Sequence, residues 1–262
     1  MSPLVTLTTD LGDAYAAQVK AVLYRRLPAG TVVDLAHTLP AHGVAEAAFL
    51  LLHMARRFPP GTVHLAVVDP GVGSSRAPLG VATDDGSYLV GPDNGLLWPL
   101  AQALGRPRAV RLDPTRVVPQ GEVSATFEGR DLFAPAAAAL ASGSSLEYLG
   151  SPISPQAYEI PAAMLTPGSA SGEIIHIDRF GNLITNVPSQ GGPEVGASVV
   201  VGIGRAPRRR GVRHRTYSDL TPGGWGVLGS SFGYLEVACR EGSAAKRFRA
   251  RVGAPLRLAW RK

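Results

Sequence analysis

The chain has 262 residues, 45% of them hydrophobic and 18% charged, with a formal net charge of +6 and a pI near 9.8. Such a length and apolar content exclude global disorder and suit one large domain or two smaller ones. No apolar run reaches the roughly 20 residues a membrane-spanning helix needs, and the single cysteine, Cys239, excludes an intrachain disulfide and fits a reducing cytoplasm.

The opening residues lack the basic region and cleavage pattern of a signal peptide and lead into a first strand at Leu4–Thr9, which alternates and is β-branched. Apolar residues at helical spacing predict a helix over Ala14–Leu27, stopped by Pro28 and Gly30. A second strand follows at Thr31–Ala36, then a helix over Gly43–Phe58 closed by Pro59-Pro60-Gly61, and a continuous apolar strand at Val63–Val68. This β-α-β-α-β order predicts a parallel-rich sheet with helices on its faces, and ligands in such sheets lie beyond the carboxyl ends of the strands. Asp10 and Asp69 both follow a strand directly, so both should face one crevice. Leu79–Thr83 and Tyr88–Gly91 read as a hairpin around Asp85-Gly86, and Asp131–Ala141 as an alanine-rich helix. Pro and Gly then cluster, and the pattern changes to short strands at 173–178, 183–186, 198–203, 225–228, 234–238 and 256–260. The predicted architecture is an N-terminal α/β domain over 1–155, a linker over 156–171 and a smaller all-β, barrel-like domain over 172–262.

Six scattered histidines without an HExxH or His-x-His pattern give no reason to expect a metal site. Arginine supplies all but three of the 26 basic residues and is dense from Arg205 to Arg215. Such a run suits nucleic acid, but no recognition helix or aromatic-studded basic strand accompanies it. A solvated loop between two strands is the expectation, and nucleic acid is not an expected partner.

The strongest chemical feature is Asp69-Pro-Gly-Val-Gly-Ser-Ser-Arg76, a glycine-rich turn with an acid and a base at its ends. It lacks the Gly-Lys-Ser/Thr of a phosphate-binding loop. It either activates a ligand or closes a loop with a buried salt bridge. Asp10 either accepts two hydrogen bonds from a vicinal diol or caps the following helix. Phe127, ahead of Glu128, either stacks on a flat ring or joins the core. Asp178 and Asn182 either grip an amino-acid head group or form an Asx-type turn. Ser231 opens Ser-Phe-Gly-Tyr-Leu-Glu236, a strand entry with a glycine bend.

Taken in order, Thr-Thr-Asp10-Leu-Gly, Val-Val-Asp69-Pro-Gly-Val-Gly-x-x-Arg76, Pro92-Asp-Asn-Gly95, Thr-Phe127-x-Gly-Arg-Asp131, Asp178-Arg-Phe-Gly-Asn-Leu-Ile-Thr-Asn186 and Ser231-Phe-Gly-Tyr-Leu-Glu236 form a specific set. It resembles the S-adenosylmethionine (SAM) hydroxide adenosyltransferases, the adenosine-forming SAM hydrolases related to fluorinase and chlorinase. The resemblance covers roughly residues 4–150 and 172–245. It implies a homotrimer with each site between the N-terminal domain of one subunit and the C-terminal domain of its neighbour. It also implies SAM as substrate, with no further cofactor. By position, Asp10 matches the ribose-diol ligand and Phe127 the stacking aromatic. Asp178, Asn182 and Ser231 match the groups holding the methionine end, Phe180 belongs to the same substrate-binding turn, and Tyr217 matches a second aromatic near the adenine. Asp69 and Arg76 match two members of a water-activating Asp–Arg–His triad. The third departs: Glu128 stands where the family has His, which changes the summed charge of the triad from zero to −1 if all three ionisable groups keep their usual states. Arg240 stands where an adenine-contacting Asn is usual, and His42 where an aromatic or amide is common. The reading is a SAM hydrolase with Glu128 as base or water-orienting group. The alternatives are a SAM-binding protein with weak or lost catalysis and, against the Asp69–Arg76 pair, a halide adenosyltransferase.

Overall fold

A computed structural model describes residues 2–119 and 121–261. The chain divides into two compact units, residues 1–159 and 160–262.

The first unit is a mixed seven-stranded sheet. β1 (Leu4–Thr9) pairs in parallel with both β2 (Thr31–Ala36) and β3 (Val63–Val67), and β3 pairs in parallel with β5 (Tyr88–Pro92). β4 (Pro78–Ala82), β6 (Arg108–Leu112) and β7 (Gly150–Pro152) extend the sheet in antiparallel fashion, giving the order β2-β1-β3-β5-β4-β6-β7. α1 (Gly12–Arg26) and α2 (Val44–Ala55) are the crossovers between the first three strands. β3 is buried at all five residues, as a strand covered on both faces must be. The core joins Val5 and Leu7 of β1, Val19 and Leu23 of α1, Leu65 of β3, and Phe133, Ala136 and Ala137 from the alanine-rich helix.

That helix does not begin as a regular one. Gly129–Phe133 is a π turn running into α5 (Ala134–Ala141), with the amide of Ala134 bonded back to the Gly129 carbonyl. Pro135 has no N–H to donate to the carbonyl four residues earlier and its ring crowds that carbonyl, so a wider turn relieves both conflicts. Short elements α3 (Trp98–Ala103), α4 (Pro114–Val117) and α6 (Leu146–Leu149) complete the unit.

In the second unit the strands are β8 (Met164–Thr166), β9 (Ser169–Ile177), β10 (Leu183–Pro188), β11 (Ser198–Ile203), β12 (Arg209–Val212), β13 (Trp225–Gly229), β14 (Tyr234–Cys239) and β15 (Pro255–Trp260), with one short helix, α7 (Ala244–Phe248). They form one antiparallel sheet in the order β12-β11-β15-β9-β10-β14-β13, with β8 beside β9. A bridge between Arg213, just past β12, and Val227 of β13 brings the two ends together, so the sheet is nearly closed as a barrel.

Two expectations change. The stretch 156–171 is not free linker throughout: Pro167-Gly168 is a two-residue hairpin turn that pairs Thr166 with Ser169. Gly168 there has φ of 81°, a left-handed value that favours glycine after proline. The arginine-rich run is not a simple loop either. Arg209–Val212 is a strand, registered against Ser198–Val201. Its arginines hid a strand pattern because an edge strand beside solvent tolerates charge.

Candidate active site

Parallel pairing of β1 with β3 aligns Thr9 with Val67, and the Asp10 amide donates to the Val67 carbonyl at 3.4 Å. Asp10 and Asp69 therefore leave the sheet at the same end. Asn94 buttresses this edge, its side-chain amide donating to the Val68 carbonyl at 2.9 Å while its oxygen accepts from the Leu96 amide. The family-like Pro92-Asp-Asn-Gly95 segment thus supports the backbone one residue ahead of Asp69.

Within the turn, Asp69 is almost saturated. Its Oδ1 accepts from the Gly71 amide at 3.2 Å and from Arg76 Nε at 3.0 Å; its Oδ2 accepts from Nε at 3.0 Å and from Arg76 Nη2. Arg76 Nη2 also donates to Glu128 Oε2, so one guanidinium joins two carboxylates. Its carbon lies 5.2 Å from the centre of the Phe133 ring, which covers one face. The Asp69 and Glu128 side chains are 6% and 20% exposed. Burial works against the charge on Arg76, but the hydrogen bonds and charges of Asp69 and Glu128 outweigh it and raise its pKa above the usual arginine value. Asp69 and Arg76 do close their loop by a salt bridge, as one alternative held, and the addition of Glu128 makes it a three-member cluster. No hydrogen bond to Glu128 Oε1 occurs among the described residues, which leaves it the freest acceptor oxygen of the three-residue group.

Gly73 ties the turn to the segment that carries Phe127 and Glu128. Its φ is 77°, and a Cβ there would fall 2.9 Å from the Ala125 carbonyl oxygen. Only glycine combines that backbone with that approach. Phe127 meets Tyr15 edge to face at 5.5 Å, and the Arg130 guanidinium lies 4.8 Å from its ring centre. These three line a cleft of about 490 Å³ with Leu11, Ser124 and Thr126. Phe127 also packs against the core, so it is both anchored and available. Asp10 does not cap α1; its Oδ2 accepts from the His42 amide at 3.1 Å, held by a His42 backbone in the left-handed region with φ of 63°.

In the second unit, Asp178 forms the Asx-type turn. Its Oδ1 accepts from the amides of Phe180 and Asn182, each at 2.9 Å, and its Oδ2 from the Asn182 side chain at 2.9 Å. Phe180 stands out at 70% exposed. Tyr217 opens a short 3-10 turn whose N-terminus is closed by a Thr216–Asp219 capping box. Its hydroxyl donates to Glu236 Oε1, while its side chain leaves the residue 46% exposed. Glu236 itself is 3% exposed on β14. Burial, reinforced by the charge of Asp178, raises its pKa against the opposing hydrogen bond from Tyr217, and burial followed by that same bond raises the pKa of Tyr217. Arg240 donates to the carbonyls of Ser218 and Leu220 at 3.3 and 3.0 Å, bracing the turn that bears Tyr217.

The structure thus groups Asp69, Arg76 and Glu128, with Phe127 adjacent in sequence; in the second unit it groups Asp178 with Asn182, and Tyr217 with Arg240. Ser231 is not brought to the Asp178 turn. It lies in the turn before β14, whereas Leu183, next to Asn182, pairs with Val237 near the far end of that strand. At roughly 3.4 Å per residue the length of β14 separates them. Sequence reasoning missed Tyr15, and gave no individual role to Asn94 or Glu236, which it named only within motifs. Glu236 was legible only as the last residue of a motif, and nothing in the pattern tells a buried acid from an exposed one on an alternating strand.

Known proteins match this chain over both units. The family model described as SAM hydroxide adenosyltransferase N-terminal domain matches residues 5–150, and that of the C-terminal domain matches residues 172–257. An (R)-S-adenosyl-L-methionine hydrolase of Thermus thermophilus is 42% identical over 266 residues, covering 98% of this chain and all of the relative. A fluorinase of Actinopolyspora mzabensis is more distant, at 31% identity and 71% coverage of each chain. A crystal structure of an uncharacterized conserved protein from Thermotoga maritima superposes with a TM-score of 0.90 at 30% identity, covering 97% of this chain and 99% of that one. The chain belongs to the SAM hydroxide adenosyltransferase family.

Proposed function

We propose that the protein is an enzyme that hydrolyses S-adenosyl-L-methionine to adenosine and L-methionine. The observation that carries this reading is the Arg76 cluster, in which one mostly buried guanidinium holds the carboxylates of Asp69, at the end of β3, and of Glu128, ahead of the π turn. Water attacks ribose C5′ in line with the sulfonium. The new O–C5′ bond forms as the C5′–S bond breaks, the bonding pair returns to sulfur as the neutral thioether of methionine, and the water proton passes to a carboxylate and then to solvent. The leaving group is already cationic and needs no acid. The nucleophile is the obstacle, because water with a pKa of about 15.7 must be oriented and relieved of a proton without a metal to polarise it.

In the proposed reaction these tasks are divided among the residues present. Asp69 has donors on both oxygens, so it fixes Arg76 and the turn and is a poor proton acceptor. Glu128 keeps Oε1 available, so it takes the water's hydrogen bond and its proton. Asp10 binds the ribose diol and Phe127 stacks on a flat ring, with Tyr217 as the second aromatic; Asp178, Asn182 and Phe180 serve the methionine end. The extra negative charge of the cluster favours the cationic substrate.

The relatives' names specify the (R) form of SAM, and we extend that stereochemistry to this chain. Homotrimer assembly and a cytoplasmic location complete the reading; the latter is supported by the one cysteine, which is buried and free. No helix among the described residues is long and apolar enough to cross a membrane. Incubation with each sulfonium epimer in 18O-water, followed by mass spectrometry, tests the reaction. Labelled adenosine with methionine, faster from the (R) epimer, is the expected result; intact substrate overturns it, and bound but intact substrate identifies a non-catalytic binder. Sedimentation velocity tests the trimer.

A further inference from the structure

The arginine-rich run has no part in the proposed reaction, yet the fold gives it a definite shape. Arg205 and Arg209, from the β11–β12 connection and the start of β12, converge with Lys246, Arg247 and Arg249, which lie some forty residues later on α7 and just after it. These five cations line one cleft of about 650 Å³. Its remaining walls are small or apolar, with Ile203, Phe248 and Ala254 buried, and none of its lining residues is acidic. Among the described residues none of the five has a carboxylate partner: Arg247 donates to the Gly223 carbonyl at 3.0 Å and Arg209 lies 5.6 Å from the Phe248 ring centre. Arg249 is held in the left-handed region with φ of 49°, a conformation that costs free energy in a non-glycine residue and is retained where the surroundings enforce it.

Like charges gathered in a concave site raise the local potential and attract counter-charge. Each phosphate group carries up to about two negative charges near neutral pH, so five cations match two or three linked phosphates better than one. The volume is that of a small-molecule site. A nucleic-acid groove would add exposed aromatic rings for bases, whereas the one ring here is buried beneath Arg209. We propose that this cleft is a binding site for a small anion bearing two or three linked phosphate groups. The site is independent of SAM hydrolysis.

Isothermal titration of the full-length protein at low ionic strength tests this, with inorganic tripolyphosphate, pyrophosphate, orthophosphate and a single-stranded oligonucleotide as ligands. Tripolyphosphate and pyrophosphate should bind about ten-fold or more tighter than orthophosphate, and Arg205→Glu/Arg249→Glu should weaken tripolyphosphate by about ten-fold or more. Arg25→Glu/Arg26→Glu, an exposed pair on α1 with the same charge change, should leave it unchanged. Circular dichroism and the neutral pair Arg205→Gln/Arg249→Gln, expected to fall between, separate charge loss from misfolding. Equal weakening by both charge-reversed pairs, or no difference among the three inorganic ligands, overturns the site. Oligonucleotide affinity that exceeds that of tripolyphosphate and grows with chain length overturns the small-anion assignment.

Discussion

Glu128→Gln isolates the residue proposed as the proton acceptor. The substitution preserves shape and leaves a side-chain oxygen to accept from Arg76, so the clamp persists with a neutral acceptor in place of a charged one. Charge-assisted hydrogen bonds contribute about 1 kcal/mol more than neutral ones, and a side chain 20% exposed is still mostly shielded from solvent. A stability loss of about 1 kcal/mol follows, or roughly 2–4 °C in melting temperature for a unit of this size. The effect on rate should be far larger. A proton acceptor in the transition state is worth about 10²–10⁴-fold, so kcat for adenosine release should fall by about that factor, and KM should rise by a smaller factor as the cluster loses the net charge that favours the cationic substrate. Glu128→His, which supplies the imidazole that the resemblance implies at this position, should recover most of the loss. Adenosine release followed by liquid chromatography at saturating SAM, beside thermal melts of each variant, gives the answer. A Glu128→Gln kcat within about threefold of the parent refutes the assignment, and the proton must then leave by another route.

Four further outcomes follow from the same structure. Arg76→Ala leaves two mostly buried carboxylates unpaired, and should cost about 3–5 kcal/mol with loss of turnover, measured by chemical denaturation and the same assay. Gly73→Ala puts a methyl 2.9 Å from the Ala125 carbonyl on a backbone that disfavours it; it should destabilise by about 1–3 kcal/mol and raise KM by shifting Phe127. His64 is buried on β3, bonded to the Thr6 hydroxyl at 2.8 Å, and desolvation lowers its pKa to about 4. The stability linked to its neutral form is present above the unfolded value of 6.5 and lost as pH falls towards 4, so denaturation midpoints should drop in that window, less in His64→Gln. Glu236 has the opposite sign: with its folded pKa raised above 4.5, its contribution is greatest below that value and declines as pH rises through the folded pKa. The melting temperature of Glu236→Gln should therefore gain on the parent as pH rises from 4.5 towards neutrality, and a constant difference would contradict the buried acid.

The sequence by itself determined the alternation of strands and helices, the change to short strands in the second half, and the motif set that carries the family. It did so because period, turn residues and strand-end acids are local properties. The order of the first sheet was not local. β4 and β5 read correctly as a hairpin, but only tertiary packing places β5 beside β3 and β4 outside it. The same holds for the site. Asp69 and Arg76 are seven residues apart and could be paired from the turn alone, whereas Glu128 lies 52 residues beyond Arg76 and meets it only in the folded chain, where Gly73 lets the turn approach the Ala125 backbone. Which acid keeps an oxygen for water is a question of how many donors reach each one, and donors converge from the β3 turn and from Arg76 in three dimensions. The arginines at 205 and 209 look like a solvated run until the pairing of β11 with β15 sets Ile203 against Leu256 and so brings the α7 end beside them, since charge density depends on distance through space and not on spacing along the chain.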